Sequence, residues 1–249
     1  LQQITGINSV FFYAPMIFEQ TGIGTDASFS QAILIGIINL VFTIIAIGLI
    51  DKIGRRPLLI TGVAAIVVSM FILSTSFSSA TYMLDKTDVL ELPIEINKAD
   101  LESMTDVLYT SDVKFKNAIK LAIGEDLASQ FEGAIIKKAI NANSVLILIG
   151  ILGFVAAFAI SLGPVMWVLF SELFPNRIRG LAISFVGLIN SGVSFIVQLV
   201  FPWEMSTLGS STTFMIYGIF AVLGLIFVVI KVPETKGKSL EELEKMLIK

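Results

Sequence analysis

The beginning of the chain places polar side chains inside an otherwise apolar segment. Four of them occur within the first eight residues: Gln2, Gln3, Thr5 and Asn8. Hydrocarbon offers no hydrogen-bond partner, so such amides and hydroxyls usually face a bundle interior or a wet cavity. On an unbroken helix they would point in different directions, and Gly6 is the position at which a break would let them converge. The alternative is that these amides only join neighbouring helices.

A glycine–proline pair is the second feature that could shape a binding site within a span. Pro164 follows Gly163 and has no N–H to donate to the carbonyl of Ile160, which predicts a kinked helix with a hinge at this pair. Trp167, about one turn later, would then face the space that the kink opens. The alternative is a tryptophan of the interfacial aromatic belt.

The segment 181–203 has one polar face on an ideal helix. The members of this face fall within an arc of about 120°: Ser184, Gly187, Asn190, Ser191, Ser194 and Gln198. Glycine and serine suit helix packing, whereas the amides Asn190 and Gln198 favour a face that lines a polar cavity. Asn39, near the middle of the segment 30–50, is a further isolated amide.

Two loops carry charges that match. The first contains Asp51, Arg55 and Arg56, and the second contains Glu172, Arg177 and Arg179. Isolated surface ion pairs contribute little to stability, so a gating role requires several of these charges acting together as a network. The alternative is a pair of solvated loops that only set the topology.

Composition places the chain among polytopic membrane proteins. Hydrophobic residues make up 55% of it, mean hydropathy is +0.88, and several apolar runs are long enough for a span of about 20 residues. The absence of Cys and His removes disulfides, thiolate nucleophiles and imidazole metal sites. The net charge of −3 does not indicate a nucleic-acid partner. We therefore predict no enzyme, no cofactor and no metal site.

Six spans divide the chain into four parts. Residues 1–80 hold three spans, 81–144 form an insert, 145–231 hold three more spans, and 232–249 form an amphipathic tail. The insert contains eleven of the twenty acidic residues and no apolar run long enough to cross. It is predicted to be a small helical cap at the periphery, with a disordered loop as the alternative. The apolar part of the first span is short, so we expect a fragment that begins partway through a helix.

Charge predicts the orientation. Ten basic residues outside the insert fall on one side when the spans alternate: Lys52, Arg55, Arg56, Arg177, Arg179, Lys231, Lys236, Lys238, Lys245 and Lys249. The short turns on the opposite side carry only the acids Asp26 and Glu204. The positive-inside rule then places the ten residues and the tail in the cytoplasm and the insert outside. We expect a multi-pass protein of the plasma (inner) membrane.

Taken together, these motifs resemble the sugar porters of the major facilitator superfamily. The ordered pieces are Gln2-Gln3-x-x-Gly6-x-Asn8 with Tyr13, Asp51-x-x-Gly54-Arg55-Arg56, Gly163-Pro164-x-x-Trp167, Ser171-Glu172-x-Phe174-Pro175 with Arg179-Gly180, and Pro233-Glu234-Thr235-Lys236-Gly237. Their order and spacing make the set specific, and it covers every part except the insert. The chain looks most like the carboxy-terminal half of a bacterial xylose or glucose transporter.

The resemblance implies an all-α membrane protein with six transmembrane helices, which form one half of a twelve-helix fold that works by alternating access. It implies a monosaccharide substrate, a hexose or a pentose, held against a missing amino-terminal half. The positions that match the family's sugar ligands are Gln2, Gln3, Asn8, Asn39, Trp167 and Asn190. Proton symport and facilitated diffusion both stay open, because the carboxylate of proton-coupled members lies in the other half. A non-transporting sugar sensor and a polyol porter, such as one for inositol, are the alternatives.

Overall fold

The computed structural model describes residues 1–19, 25–93, 95–238 and 242–243. The predicted turn at 21–28 lies partly outside these ranges, and half of the residues of the predicted amphipathic tail, 232–249, lie outside them. The α-helices of the described residues are α1 (Ile7–Glu19), α2 (Thr25–Ile53), α3 (Arg55–Ser78), α4 (Lys86–Leu90), α5 (Asp112–Ile123), α6 (Glu125–Ala139), α7 (Ser144–Ile160), α8 (Leu162–Leu173), α9 (Arg179–Thr207) and α10 (Ser210–Lys231). Two 3₁₀ segments, Gln3–Thr5 and Lys98–Met104, and two short strands, β1 (Thr81–Tyr82) and β2 (Ile140–Asn141), complete the described structure.

Five helical stretches of the described residues are long and apolar enough to cross a membrane. They are Ile33–Ile53, Arg55–Ser78, Ser144–Leu173, Arg179–Thr207 and Ser210–Lys231. Helix α1 has 13 residues. It therefore rises about 20 Å, less than the roughly 30 Å of a bilayer's hydrocarbon core. The predicted span at the beginning of the chain is thus shorter in the structure than a full crossing.

Helix α3 packs between α7 and α10 and forms the centre of the bundle. Apolar residues recur along it at spacings of three and four, which places them on one buried face: Val63, Ile66, Met70, Leu73 and Phe77. Gly62 allows a close approach to the end of α7, since a Cβ at this position would lie 2.1 Å from the Cβ of Ser161. Between helices in lipid, close packing of this kind stabilises the contact more than removal of apolar surface from water does.

The fourth membrane stretch is interrupted at Ser161. Helix α7 ends at Ile160, Ser161 has φ −127° and ψ −93°, and α8 begins at Leu162. Pro164 consequently lies in the first turn of α8, where its missing N–H leaves no intrahelical hydrogen bond unmade. The non-helical residue is therefore Ser161, three positions before Pro164.

Residues 81–144 fold around a core of their own. Strands β1 and β2 pair antiparallel, with Thr81 opposite Asn141 and Tyr82 opposite Ile140, so the insert leaves the bundle and returns to it at one place. Fully buried members of its core are Leu84, Leu101, Phe115, Ile119 and Ile135. This core forms a cluster separate from that of the membrane helices.

The structure corrects the predicted position of Glu204. The sequence places this residue in a turn, but α9 continues through Pro202 to Thr207, and Glu204 lies in its last turns. Its carboxylate accepts a hydrogen bond of 2.9 Å from the hydroxyl of the buried Tyr217 on α10. This partner explains why an acidic residue is tolerated in the last turn of a helix that is long and apolar enough to cross a membrane.

Candidate functional site

The first helix is broken at Gly6. Residues Gln3–Thr5 form a 3₁₀ turn that ends when the Gly6 N–H donates to the Gln3 carbonyl at 3.0 Å, and α1 begins at Ile7. Gly6 has φ +81°, a conformation that favours glycine. A Cβ on Gly6 would also lie 2.8 Å from Cδ2 of Tyr217. Both the backbone and its surroundings therefore require glycine at the break.

Asn8 connects the broken segment to α9. Its amide Nδ2 donates to Oε1 of Gln3 at 2.8 Å and to the hydroxyl oxygen of Ser194 at 2.6 Å. The same hydroxyl oxygen accepts a 2.9 Å hydrogen bond from Nε2 of Gln198. Both lone pairs of Ser194 are thus occupied, so its hydroxyl hydrogen is the group left to donate elsewhere.

Gln2 connects the break at Gly6 with the break at Ser161. It is buried, and its Nε2 donates to the carbonyl of Leu162, the first residue of α8, at 3.4 Å. Within the described part of the chain, its Oε1 is buried and has no hydrogen-bond partner. A buried amide oxygen of this kind requires a donor, because leaving it unpaired costs about 1–3 kcal/mol.

These polar residues border two clefts. The first, called here the small cleft, has a volume of about 130 Å³. Its lining residues are Leu1, Gln2, Gln3, Met166, Phe170, Val186, Ile189, Asn190 and Val193. The second, called here the aromatic cleft, has a volume of about 360 Å³. Its lining residues are Ile7, Asn8, Phe11, Phe12, Asn39 and Phe158.

The structure divides the predicted sugar ligands between the two clefts. Gln2, Gln3 and Asn190 line the small cleft, while Asn8 and Asn39 line the aromatic cleft. The hydrogen bond between Gln3 and Asn8 joins the two groups.

Trp167 lies beside the small cleft without lining either one. Its side chain is 41% exposed, and its ring packs edge-to-face on Phe170 at 6.1 Å. Phe170 in turn lines the small cleft.

Several aromatic residues of the clefts were missed by the sequence analysis. Phe11, Phe158 and Phe170 line them, yet they are three of nineteen phenylalanines in a chain where aromatic residues are common. Spacing carries no signal for them, because the direction of each ring depends on the breaks at Gly6 and Ser161. Ser194 and Gln198, in contrast, belong to the polar face that the sequence predicted for the fifth span.

Arg55 is the centre of the predicted charge network. Its guanidinium contacts Oδ1 of Asp51 at 2.9 Å and Oε1 of Glu172 at 2.6 Å, and its side chain is 12% exposed. The second oxygen of Glu172 accepts a 2.6 Å hydrogen bond from the hydroxyl of Thr235. The network therefore joins the ends of α2, α3 and α8 to the segment that follows α10.

Glu234, which the sequence analysis did not assign to the network, holds the beginning of α3. Its carboxylate accepts hydrogen bonds from the backbone N–H groups of Arg55 and Arg56, both at 3.1 Å, and of Lys236 at 2.9 Å. Partial burial acts to raise the pKa of Glu234, but these backbone hydrogen bonds together outweigh burial and lower the pKa below its usual value. The carboxylate is thus held in its charged form at a helix N-terminus.

Two other arginines of the predicted network bind backbone carbonyls. Arg56 donates to Val229 at 2.7 Å, and Arg179 donates to Phe174 at 3.2 Å. Neither forms an ion pair in the part of the chain that the structure describes. In the same ranges, no group of three or more His, Cys, Asp or Glu side chains comes together as a metal site would require.

Comparison with known proteins gives a family match over most of the chain. The sequence model of the family described as "Sugar (and other) transporter" matches residues 1–91 and 127–247. Residues 92–126, which belong to the insert, lie outside the matched ranges.

Two bacterial transporters are among the relatives of this chain. The chain is 34% identical to the D-xylose-proton symporter of Escherichia coli (strain K12), with 98% of this chain and 38% of that protein covered. It is 30% identical to the arabinose-proton symporter of Bacillus subtilis (strain 168), with 99% and 40% covered. The chain therefore spans about two fifths of the length of these relatives.

Solved structures give the same result. The chain matches the proton:xylose symporter XylE bound to 6-bromo-6-deoxy-D-glucose with a TM-score of 0.68 and 33% identity, over 98% of this chain and 40% of that one. It matches the inward-open xylose transporter XylE from E. coli with a TM-score of 0.64 and 31% identity, over 98% and 39%. The family match, the relatives and the shared fold agree: this chain belongs to the sugar porter family of the major facilitator superfamily.

Proposed function

We propose that this chain supplies the sugar-binding half of a transporter that moves a monosaccharide across a membrane by alternating access. The observation that carries the proposal is the set of hydrogen-bonded amides at the break of the first helix. Gln3, Asn8 and Ser194 are joined there by hydrogen bonds of 2.8 and 2.6 Å, between two clefts. Discontinuous helices with polar groups at the break are the usual way in which transporters build a substrate site.

The chemistry of these residues suits a sugar. Each sugar hydroxyl both donates and accepts, and amide side chains offer both functions in the same group. The buried Oε1 of Gln2 is an acceptor suited to a sugar hydroxyl. The apolar C–H face of a pyranose would pack against an aromatic ring, a role that we assign to Trp167.

Asn39 and Asn190 complete the proposed set of ligands. They line the aromatic cleft and the small cleft respectively, on α2 and α9. We propose that motion at Gly6 and near Gly163-Pro164 changes the distance between these helices during transport. The ligands would then separate when the site opens and converge when it closes around the sugar.

The charge network is proposed to be a gate on the cytoplasmic side. Arg55, Asp51 and Glu172 lie at the end of the bundle from which the basic tail emerges. Under the positive-inside rule this end is cytoplasmic, in the plasma (inner) membrane, and the insert faces outward. Rupture of the pair between Arg55 and Glu172 would separate α3 from α8 when this end opens.

We also propose that transport by the complete protein is coupled to protons. Two relatives with at least 30% identity are named as proton symporters of xylose and of arabinose. The coupling carboxylate would lie outside this chain, in the other half of the transporter. These names favour a pentose over a polyol as the substrate.

The test is uptake of labelled xylose, arabinose and glucose by the full-length protein in liposomes, with and without an inward proton gradient. We expect uptake of at least one of these sugars, and we expect a protonophore to abolish its accumulation. Sugar binding without flux would contradict transport and support the sensor instead. If the sugar only equilibrates across the membrane, at a rate that the protonophore does not change, the result would contradict only the proton coupling.

A variant of Asn8 tests the site itself. Asn8→Ala removes the amide oxygen that would accept a sugar hydroxyl, and with it the hydrogen bonds that hold Gln3 and Ser194 in position. A hydrogen bond to the ligand contributes about 0.5–1.5 kcal/mol, so we expect the Kd for the transported sugar to rise about tenfold. Asn117→Ala is the matched control, since Asn117 is an exposed asparagine on α5 of the insert and lines neither cleft. Equal affinities for wild type and Asn8→Ala would remove the amides from the proposed site.

A further inference from the structure

Two helix ends of opposite polarity meet at the turn between α9 and α10. Helix α9 ends at Thr207 and α10 begins at Ser210, so only Leu208 and Gly209 separate them. The last carbonyls of a helix carry partial negative charge and its first N–H groups carry partial positive charge. A cation at the end of α9 and an anion at the start of α10 would therefore stabilise this hairpin.

The insert supplies the cation. Lys116 of α5 is only 5% exposed, and its Nζ donates to the carbonyl of Met205 in the last turn of α9 at 3.3 Å. The same ammonium group lies 3.3 Å from Oε1 of Glu132 on α6. A buried lysine with a carbonyl and a carboxylate as partners is costly to disturb, because loss of either partner leaves its charge unpaired.

The insert also supplies the anion. Oδ2 of Asp112 accepts hydrogen bonds from the backbone N–H of Ser210 at 2.7 Å and from the hydroxyl of Ser210 at 3.0 Å. Ser210 is the first residue of α10, and it is 2% exposed. Asp112 therefore caps α10 from a different element, which ties the start of this helix to the insert.

Asp112 and Lys116 are four residues apart on α5, so they lie on the same face of that helix. We infer that these two residues are positioning residues for the sugar site: through them the insert clamps the ends of α9 and α10 and holds the helix break at Gly6 in place. This inference differs from the sequence-based expectation that the insert is only a peripheral cap. The inference rests on the proposed sugar transport.

Two sets of contacts connect the clamped hairpin to the site. On α10, Tyr217 packs its ring against Gly6 and donates its hydroxyl to Glu204 of α9. On α9, Ser194 accepts the hydrogen bond of Asn8. A shift of either helix at the clamp would therefore move a partner of the broken segment.

The clamp also comes from the part of the chain that the family match leaves out. Asp112, Lys116 and all of α5 fall within residues 92–126, which the matched ranges do not include. A segment that supplies both charges for one helix hairpin is thus added to the general fold of the family. It makes the hairpin of this chain depend on residues outside that general fold.

The experiment measures sugar affinity in the full-length protein after the clamp is weakened. Lys116→Met and Asp112→Asn remove one charge each while keeping the size of the side chain. We expect the Kd for the transported sugar to rise about fivefold in each, on the scale of a charge lost at a helix terminus. Lys116→Arg keeps the cation and should retain an affinity near that of wild type, which a role in packing alone would not predict.

Lys120→Met is the matched control on the same helix. Lys120 forms a 3.6 Å pair with Glu125 in which both side chains are exposed, so its loss should leave the Kd unchanged. Affinity is measured on monodisperse protein only. If neither Lys116→Met nor Asp112→Asn folds, Ser210→Ala is used instead. It removes one contact of Asp112 and should raise the Kd about twofold.

The outcomes separate the two proposals. Unchanged affinity in Lys116→Met and Asp112→Asn, or in Ser210→Ala where the first two do not fold, overturns the clamp. A wild-type protein that binds none of the sugars contradicts the proposed function instead. A raised Kd in the clamp variants, with Lys120→Met unaffected, supports the positioning role.

Discussion

Asn8 donates both hydrogens of its amide within the protein, one to Gln3 and one to Ser194. Among the described residues no donor contacts its own carbonyl oxygen, which is the part of the side chain suited to receive a hydroxyl group. Gln2 presents a buried carbonyl oxygen near the same break. At the scale of single residues the site is thus rich in fixed acceptors, which favours a ligand with several donors.

Trp167 gives the first prediction at this scale. If its ring packs against the sugar, Trp167→Ala should raise the Kd for the transported sugar about tenfold, since aromatic contacts are among the strongest in binding sites. Titration of purified full-length protein with the labelled sugar measures this. Trp203→Ala, which removes the other tryptophan at 58% exposure, is the control and should bind normally. Normal binding by Trp167→Ala would assign that ring to the membrane interface.

Glu234 gives a prediction about pH. Its pKa is lowered in the folded protein, so its contribution to stability is present above the unfolded value and is lost as pH falls through the folded value. We therefore expect the Tm to fall on acidification below about pH 4.5, where an unfolded carboxyl group begins to bind protons. A series of thermal unfolding curves from pH 7 to pH 3.5 checks this.

The variant Glu234→Gln isolates that contribution. It should lower the Tm at pH 7 by about 2–4 °C, and the difference from wild type should shrink as pH falls. Glu102→Gln, at an exposed position of the insert, should follow the wild-type curve. A constant difference between Glu234→Gln and wild type at every pH would show that the carboxylate charge is irrelevant.

At the scale of elements, two helix breaks face each other. The break at Gly6 precedes α1, the break at Ser161 separates α7 from α8, and Gln2 joins them by donating to the carbonyl of Leu162. Each break frees backbone groups that a continuous helix would pair internally. Their proximity concentrates polar groups at one level of an otherwise apolar bundle.

Gly6→Ala tests the first break. Alanine would have to adopt φ +81°, and its Cβ would meet the ring of Tyr217 at 2.8 Å. We expect a loss of stability of about 2–4 kcal/mol, from strain and overpacking together, with weaker sugar binding. Gly237→Ala has a similar φ of +75°, in a turn closed by the Lys238 N–H and the Thr235 carbonyl, but no atom within 4 Å. It should therefore show the strain alone, about 1–2 kcal/mol. Equal losses in the two variants would rule out the contact with Tyr217 as a determinant.

The sequence predicted the existence of these elements better than their ends. Pro164 predicts an interruption, but only the contact of Ser161 with α3 at Gly62 places the non-helical residue three positions earlier. Glu204 was placed in a turn because charge usually ends a span, and the structure pairs it with Tyr217, thirteen residues later. The docking of the insert through Asp112 and Lys116 depends on partners about 90 residues away, which local spacing cannot reveal.

At the scale of the whole molecule, the predicted class and family are confirmed. The sequence predicts half of an all-α membrane transporter, from its long apolar runs and the order of its motifs. The family match and the solved structures agree with this prediction. The division of the ligands between two clefts could not be predicted, because it depends on where the broken helices turn. The assignment of particular residues to the sugar stays a prediction.

Helix α9 exposes an apolar face that needs a covering surface. Of the 29 residues of α9, only Ser194, Phe201 and Met205 are buried within the bundle. Large exposed side chains on it include Leu181, Phe185, Leu188, Phe195 and Leu199. In the proposed transporter the bilayer and a second six-helix bundle would cover this face.

We predict that the 249-residue chain alone carries no sugar flux, because alternating access requires two bundles that move against each other. Reconstitution of this chain in liposomes, beside the full-length protein at equal density, tests this. Co-expression with the remaining part of the transporter should restore uptake. Uptake by the chain alone would show instead that its copies assemble into a pathway without the other half.

The paired strands at the base of the insert bring its two ends together, so this position is suited to the insertion of a foreign domain. Tyr82 and Ile140 lie opposite each other in the β1–β2 pair, so the backbone positions are about 5 Å apart. A guest domain whose termini are equally close would replace the rest of the insert there without stretching α3 or α7. Such a chimera would keep the β1–β2 junction but lose Asp112 and Lys116. Its sugar affinity should therefore fall as in Lys116→Met, however well the guest domain itself folds.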